Sequence, residues 1–259
     1  MVTASVGFQC PECARSGAKQ QRLVDVHRKA TAPYVTYALI GINVAVFIVG
    51  TIASARFDTV SGGGNFTNDY GLFTPLVGNG EWWRLITSGF LHAGVLHLAL
   101  NMWALFVMGQ VLEPALGRFR FGLAYAVALL GGSFGVVLGD TITDSTRFGV
   151  TVGASGAIFG LMGLLAVMFW VRGISLSQSG LLPIIGINLV FTFLVDGISK
   201  GGHIGGLLTG AAVGAILFLG TQDSRPSQSE LTARTAVVGA LGVAFFVASI
   251  VMAQNAFGL

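Results

Sequence analysis

The sequence predicts an all-α polytopic membrane protein, and three observations carry that prediction. Of 259 residues, 53% are hydrophobic and only 10% charged, against about 25% charged in an ordinary soluble domain. Mean hydropathy is +0.78, and the 38 glycines are about twice the usual ~7% share, as in closely packed membrane helices. Seven uncharged windows, residues 30–55, 85–112, 121–139, 148–171, 173–195, 201–222 and 235–259, approach or exceed the ~20 apolar residues that cross a hydrocarbon core. Their length and lack of alternation make them helices rather than barrel strands.

The first span follows some thirty polar residues that include Arg15, Lys19, Arg22, Arg28 and Lys29, which excludes a signal peptide. A long loop then holds Gly62, Gly63, Gly64, Asn65 and Pro75, and ends on Trp82, Trp83 and Arg84, an amphipathic end suited to the membrane interface. The second span contains His92, His97 and Asn101, the fourth opens with Gly153-Ala154-Ser155-Gly156, and the sixth opens with Lys200-Gly201-Gly202-His203. A polar stretch over residues 221–232 precedes the seventh span, which reads as appended to a six-helix core. Placing the N-terminus in the cytoplasm puts ten Lys and Arg inside and leaves Arg56, Arg84, Arg147 and Lys200 outside, the orientation favoured by the positive-inside rule. Two cysteines cannot build a disulfide framework, and a net charge of +3 is too small and scattered for a nucleic-acid footprint.

Histidine and asparagine inside apolar spans are costly and mark a pathway, a site or an interhelical contact. His97 and Asn101 are four residues apart and share a helix face. Even-numbered spans run from outside to inside in this orientation, so His97, Asn101, Ser155 and His203 lie at one depth, toward the extracytoplasmic side. Gly202, Gly206, Gly210 and Gly214 form a four-residue ladder, matched by Gly156 and Gly160, so spans four and six can approach closely. Ser155 and His203 each border that smooth face. Serine needs a positioned base, for which His203 is the candidate. The Ser155 amide, the Asn101 amide and the His97 ring are candidate oxyanion donors. No acidic third member is evident.

These elements together resemble the rhomboid intramembrane serine proteases: Trp83-Arg84, His92-x4-His97-x3-Asn101, Gly153-Ala154-Ser155-Gly156, and His203-x-Gly205-Gly206. The resemblance implies a six-helix core over residues 34–220, with Ser155 as nucleophile, His203 as base, and His97, Asn101 and Ser155 in the oxyanion hole. It implies cleavage of transmembrane protein substrates near the membrane surface, within lipid, without cofactor. Arg84 would act structurally in a first loop partly sunk in the membrane, and a seventh helix also occurs in the family. Phe159 stands where family members often have Tyr; its ring can still stack beneath His203.

Residues 1–33 form a cytoplasmic segment in this reading, and 221–259 a linker with the seventh helix. Cys10-Pro11-Glu12-Cys13 is half of a zinc knuckle with only His27 nearby, so zinc there requires further ligands. Some family members carry a short Cys-rich segment at this place, and an upstream start supplying another Cys pair is the expectation. Two other functions compete with proteolysis. One is an inactive rhomboid-like protein that holds transmembrane clients, yet such proteins typically lack the Ser or the His. The other is a solute pathway, which needs polar residues through the full depth. A helical substrate hides its carbonyls, so a gate is expected in span five or in the segment 196–202.

Overall fold

The computed structural model describes residues 2–3, 8–9, 32–53, 64–142, 149–221 and 226–258. The chain divides into two compact units, Met1–Ala32 and Pro33–Leu259. Within the first, strands β1 (Val2–Thr3) and β2 (Phe8–Gln9) pair antiparallel with Val2 opposite Gln9, a short ribbon that hydropathy alone does not predict. Cys10, Cys13 and His27 lie outside the described residues.

The second unit is a helical bundle. In chain order it contains α1 (Tyr34–Ala53), three short helices α2 (Gly64–Tyr70), α3 (Thr74–Gly78) and α4 (Arg84–Thr87), then α5 (Val95–Leu116), α6 (Arg118–Ile142), α7 (Ser155–Val171), α8 (Leu181–Leu194), α9 (Lys200–Phe218) and α10 (Gln228–Phe257). The seven apolar windows correspond to α1 and α5 to α10. Five of these helices are long and apolar enough to cross a membrane, while α7 and α8 have 17 and 14 residues. At 1.5 Å per residue α8 spans only about 21 Å of the ~30 Å core. The windows overestimated these two because apolar composition continues into non-helical chain. Residues 149–154 run extended or turned into α7, and the turns from Arg172 to Gly180 precede α8. Irregular backbone survives at membrane depth where it is buried in protein or lines a cavity. Outward faces are apolar, with Ile52, Leu96, Trp103, Trp170, Leu194 and Val243 all exposed, a surface that requires lipid.

Glycine contact organises the centre. A Cβ on Gly206 would meet the Gly156 carbonyl, and one on Gly210 the Gly160 carbonyl, so α7 and α9 run parallel with their ladders in register. An adjacent face of α9 packs as closely against α6, there antiparallel: Gly201 lies on Gly135, and Gly205 on Gly131. Without a hydrophobic drive between helices in lipid, such close van der Waals packing holds them together. Around this slab Leu105, Leu112, Phe121, Leu161, Leu164 and Met168 are fully buried. At the far end of α5, Glu113 caps the start of α1, accepting from the Val35 and Thr36 amides at 2.9 and 2.8 Å and from the Thr36 hydroxyl at 2.7 Å. A carboxylate on a helix N-terminus satisfies donors that lipid cannot. Helix α10 packs on α6, where a Cβ on Gly242 would touch Val127, and on α3, where Gly78 abuts Ala253. Arg234 of α10 donates to the Ile216 and Leu219 carbonyls at 2.9 and 2.7 Å, satisfying the C-terminal end of α9.

Candidate active site

Residues 64–94, which precede α5, are built around Arg84. Its side chain is 4% exposed; Nη1 donates to the Asn68 and Gly71 carbonyls at 2.7 Å each, and Nε pairs with Glu81 at 2.6 Å. This folds α2 and α4 together. Leu72 forms a bridge with Thr151, its amide 3.0 Å from the Thr151 carbonyl and its carbonyl 2.8 Å from the Thr151 amide. The Gly153 amide donates to the Ser88 carbonyl at 2.9 Å, and Ser133 of α6 donates to the Leu85 carbonyl at 2.7 Å. The segment that delivers Ser155 is therefore clamped by the first loop, which Arg84 ties together.

Ser155 is the first residue of α7. His203 lies in the first turn of α9, whose N-cap Ser199 accepts from the Gly202 amide at 3.1 Å. Register across the glycine ladders brings the two side chains together: His203 Nε2 stands 2.8 Å from Ser155 Oγ. Phe159, one turn below Ser155, stacks on the His203 ring with centroids 4.1 Å apart and an 18° interplanar angle. The ring is thus held on its face as well as on its edge.

His97 occupies the first turn of α5. Its Nδ1 accepts the Ala93 amide at 3.4 Å, which in the neutral ring puts the proton on Nε2. Gly153, with φ +130°, has the left-handed backbone that glycine tolerates, and a Cβ there would stand 2.9 Å from His97 Nε2 and 3.5 Å from Ser155 Oγ. The missing side chain keeps open the space between the hydroxyl and the imidazole. Asn101 donates from Nδ2 to the His97 carbonyl at 2.9 Å, leaving its second N–H for another partner. The Ser155 amide belongs to the first turn of α7, whose N–H groups have no intrahelical acceptor. A cavity of about 980 Å³ between α5, α7, α8 and α9 is lined by His97, Asn101, Gly153, Ser155, Gly156 and His203 among others.

His92, expected inside the second span, instead precedes α5 in a non-helical stretch; the window ran through two short turns at 84–90 before the long helix begins. It is buried at 1% exposure and packs edge-on against His97, centroids 5.1 Å apart. Trp83 is half-exposed and edge-on to Trp82, which in turn meets Phe246 of α10. No residue of α10 lines the cavity. Among the described residues no group of three metal-ligating side chains assembles.

One partner of the site was missed from sequence. Thr192 of α8 is fully buried, with its Oγ1 2.7 Å from His203 Nδ1 and donating to the Asn188 carbonyl at 2.7 Å. Asn188 and Thr192 are spaced four apart in an otherwise apolar span, the same signal that drew attention to His97 and Asn101. Gly131 and Gly135 carry the ladder spacing as well, and were equally available.

A rhomboid domain family model matches residues 79–220. Rhomboid protease GluP of Bacillus subtilis is 37% identical over 192 residues, covering 72% of this chain and 35% of its own length. RHOMBOID-like protein 6, mitochondrial, and RHOMBOID-like protein 5 of Arabidopsis thaliana are 36% and 40% identical, covering 68% and 57% of this chain. This chain spans 59% and 48% of those two relatives, so part of each lies beyond the likeness. The matched region runs from just before Arg84 to the end of α9 and contains His97, Asn101, Gly153, Ser155 and His203, and on that evidence this multi-pass membrane protein belongs to the rhomboid family.

Proposed function

We propose that the chain is an intramembrane serine endopeptidase that hydrolyses peptide bonds in or near transmembrane segments of other membrane proteins. The observation that carries this reading is the 2.8 Å contact between Ser155 Oγ and His203 Nε2 inside a cavity. As Ser155 Oγ bonds to the scissile carbonyl carbon, its proton passes to His203 Nε2. The developing oxyanion receives hydrogen bonds from the Ser155 amide, the His97 Nε2–H and the free N–H of Asn101. His203 returns the proton to the leaving amine, and water, deprotonated by the same ring, releases the acyl group. His203 mediates each proton transfer between Ser155, the leaving amine and water, so the chemistry calls for no cofactor. The family likeness and the name of the bacterial relative support the same reading.

In this reading residues 34–220 are the protease core, 1–33 a cytoplasmic segment, and 221–259 a linker with a seventh helix. The protein sits in the cell membrane with its N-terminus in the cytoplasm and Ser155 toward the extracytoplasmic side, among lipids and its transmembrane substrates. Zinc at Cys10 and Cys13 requires ligands from elsewhere. The test is labelling of the purified protein by a serine-reactive fluorophosphonate, with Ser155→Ala and His203→Ala beside it. Labelling in the wild type alone is the expected result. A folded wild type that stays unlabelled in detergent and in lipid would instead make the chain a client-binding member of the family.

A further inference from the structure

We infer that Thr192 is the positioning residue of this site: its hydroxyl fixes the proton of His203 on Nδ1, and so leaves Nε2 free to take the proton of Ser155. The inference rests on the hydrolase reading and adds to it a third member, neutral and borne on α8.

The argument is one of proton counting. The Thr192 hydroxyl has one hydrogen and two polar neighbours at the same 2.7 Å: the Asn188 carbonyl oxygen and His203 Nδ1. A carbonyl can only accept, so the hydroxyl hydrogen goes to Asn188. The lone pair left on Oγ1 then faces Nδ1, and the contact is a hydrogen bond only if Nδ1 carries the proton. A neutral imidazole has a single N–H. Nε2 is therefore the acceptor in its 2.8 Å contact with Ser155 Oγ, the state a general base must have before attack. The opposite tautomer would set two lone pairs against each other at Thr192 and turn Nε2 into a donor toward the nucleophile.

Burial agrees. Helix α8 lies at the rim of the bundle with Leu182, Ile187, Phe191 and Leu194 exposed, and only Leu181 and Thr192 are buried along its length. Its one buried polar side chain is the one on His203. Phe159 holds the ring plane but, as an apolar face, has no preference between tautomers. Thr192 supplies that preference, much as a carboxylate does in a catalytic triad, though without a charge in the membrane.

The experiment uses the full chain labelled with 15N-histidine in lipid, with His203 assigned among the four histidines by its loss in His203→Gln. In the wild type the expected result is a protonated Nδ1 and an unprotonated Nε2 on His203. In Thr192→Val, which keeps shape and removes the hydroxyl, the proton redistributes toward Nε2. The rate constant of fluorophosphonate inactivation falls at least about tenfold, a part of the roughly 10²–10⁴-fold that a positioned general base supplies, with probe affinity unchanged. Thr192→Ser restores both tautomer and rate to near wild type. A wild-type proton on Nε2 overturns the inference, and so does Thr192→Val with an unchanged tautomer or an unchanged rate. Should Thr192→Val fail to fold, the wild-type tautomer and Thr192→Ser decide. Because the tautomer is read without any reaction, a wild type that does not label defeats the hydrolase reading while the spectrum still judges Thr192.

Discussion

Ser155, His203 and Phe159 illustrate how little freedom the site leaves its side chains. The ring of His203 is bounded by Ser155 on Nε2, Thr192 on Nδ1 and Phe159 on one face. Removing the stack should loosen orientation without removing the base. Phe159→Ala is expected to slow fluorophosphonate labelling about tenfold, while Phe159→Tyr stays near wild type, since a positioning error is costly even when the groups remain. Gly153→Ala would force both a strained φ and a methyl beside His97 Nε2. It should abolish labelling while the thermal midpoint falls only modestly, a split that separates a blocked cavity from an unfolded one.

Among the elements, the clamp and the ladders bear most of the architecture. Arg84→Ala leaves the Asn68 and Gly71 carbonyls without their donor, and the buried orphan at Gly71 costs about 1–3 kcal/mol. A lowered unfolding midpoint in detergent, with labelling lost at temperatures the wild type survives, is the expected signature. Gly210→Val places two methyls against the Gly160 backbone; overpacking typically costs about 1–3 kcal/mol, and here the obstacle is main chain that cannot step aside. Helices α5 and α8 form the two sides of the cavity, with Leu100 on one and Phe191 on the other. Joining cysteines at these two positions by a bifunctional reagent should stop cleavage of a transmembrane substrate but spare labelling by the small probe. Undiminished proteolysis in the linked protein would locate substrate entry elsewhere.

Across the whole molecule, α10 is a buttress rather than a participant. It grips α6 and α3, ties to α9 through Arg234, and contributes nothing to the cavity lining. Arg234→Ala should therefore lower the unfolding midpoint and leave the labelling rate constant unchanged. Orientation is a property of the complete chain as well. Ten of fourteen Lys and Arg fall on one side when the N-terminus is cytoplasmic, so a cysteine-reactive, membrane-impermeant reagent applied to intact cells should miss Cys10 and Cys13 and reach them after lysis.

Most of the bundle was legible because lipid imposes a one-dimensional code: an apolar window of sufficient length has to be a helix, and a polar residue within it has to have a reason. Hence Ser155, His203, His97 and Asn101 were found as a set, and the ladder of Gly206 and Gly210 foretold the approach of α7 and α9. The code fails where apolar chain is not helix, as before α5 and around α8, since burial in protein protects such backbone as well as hydrogen bonding within a helix does. His92 was misplaced for that reason. Composition determined that the chain is a membrane bundle, and motif spacing singled out Ser155, His203, His97 and Asn101 as candidates that the fold brings to one cavity. Only the packed structure decided that α8 turns Thr192 onto His203, and that the first loop clamps Gly153. Those contacts join residues far apart in the chain through helix rotation and register, which no local pattern of polarity encodes.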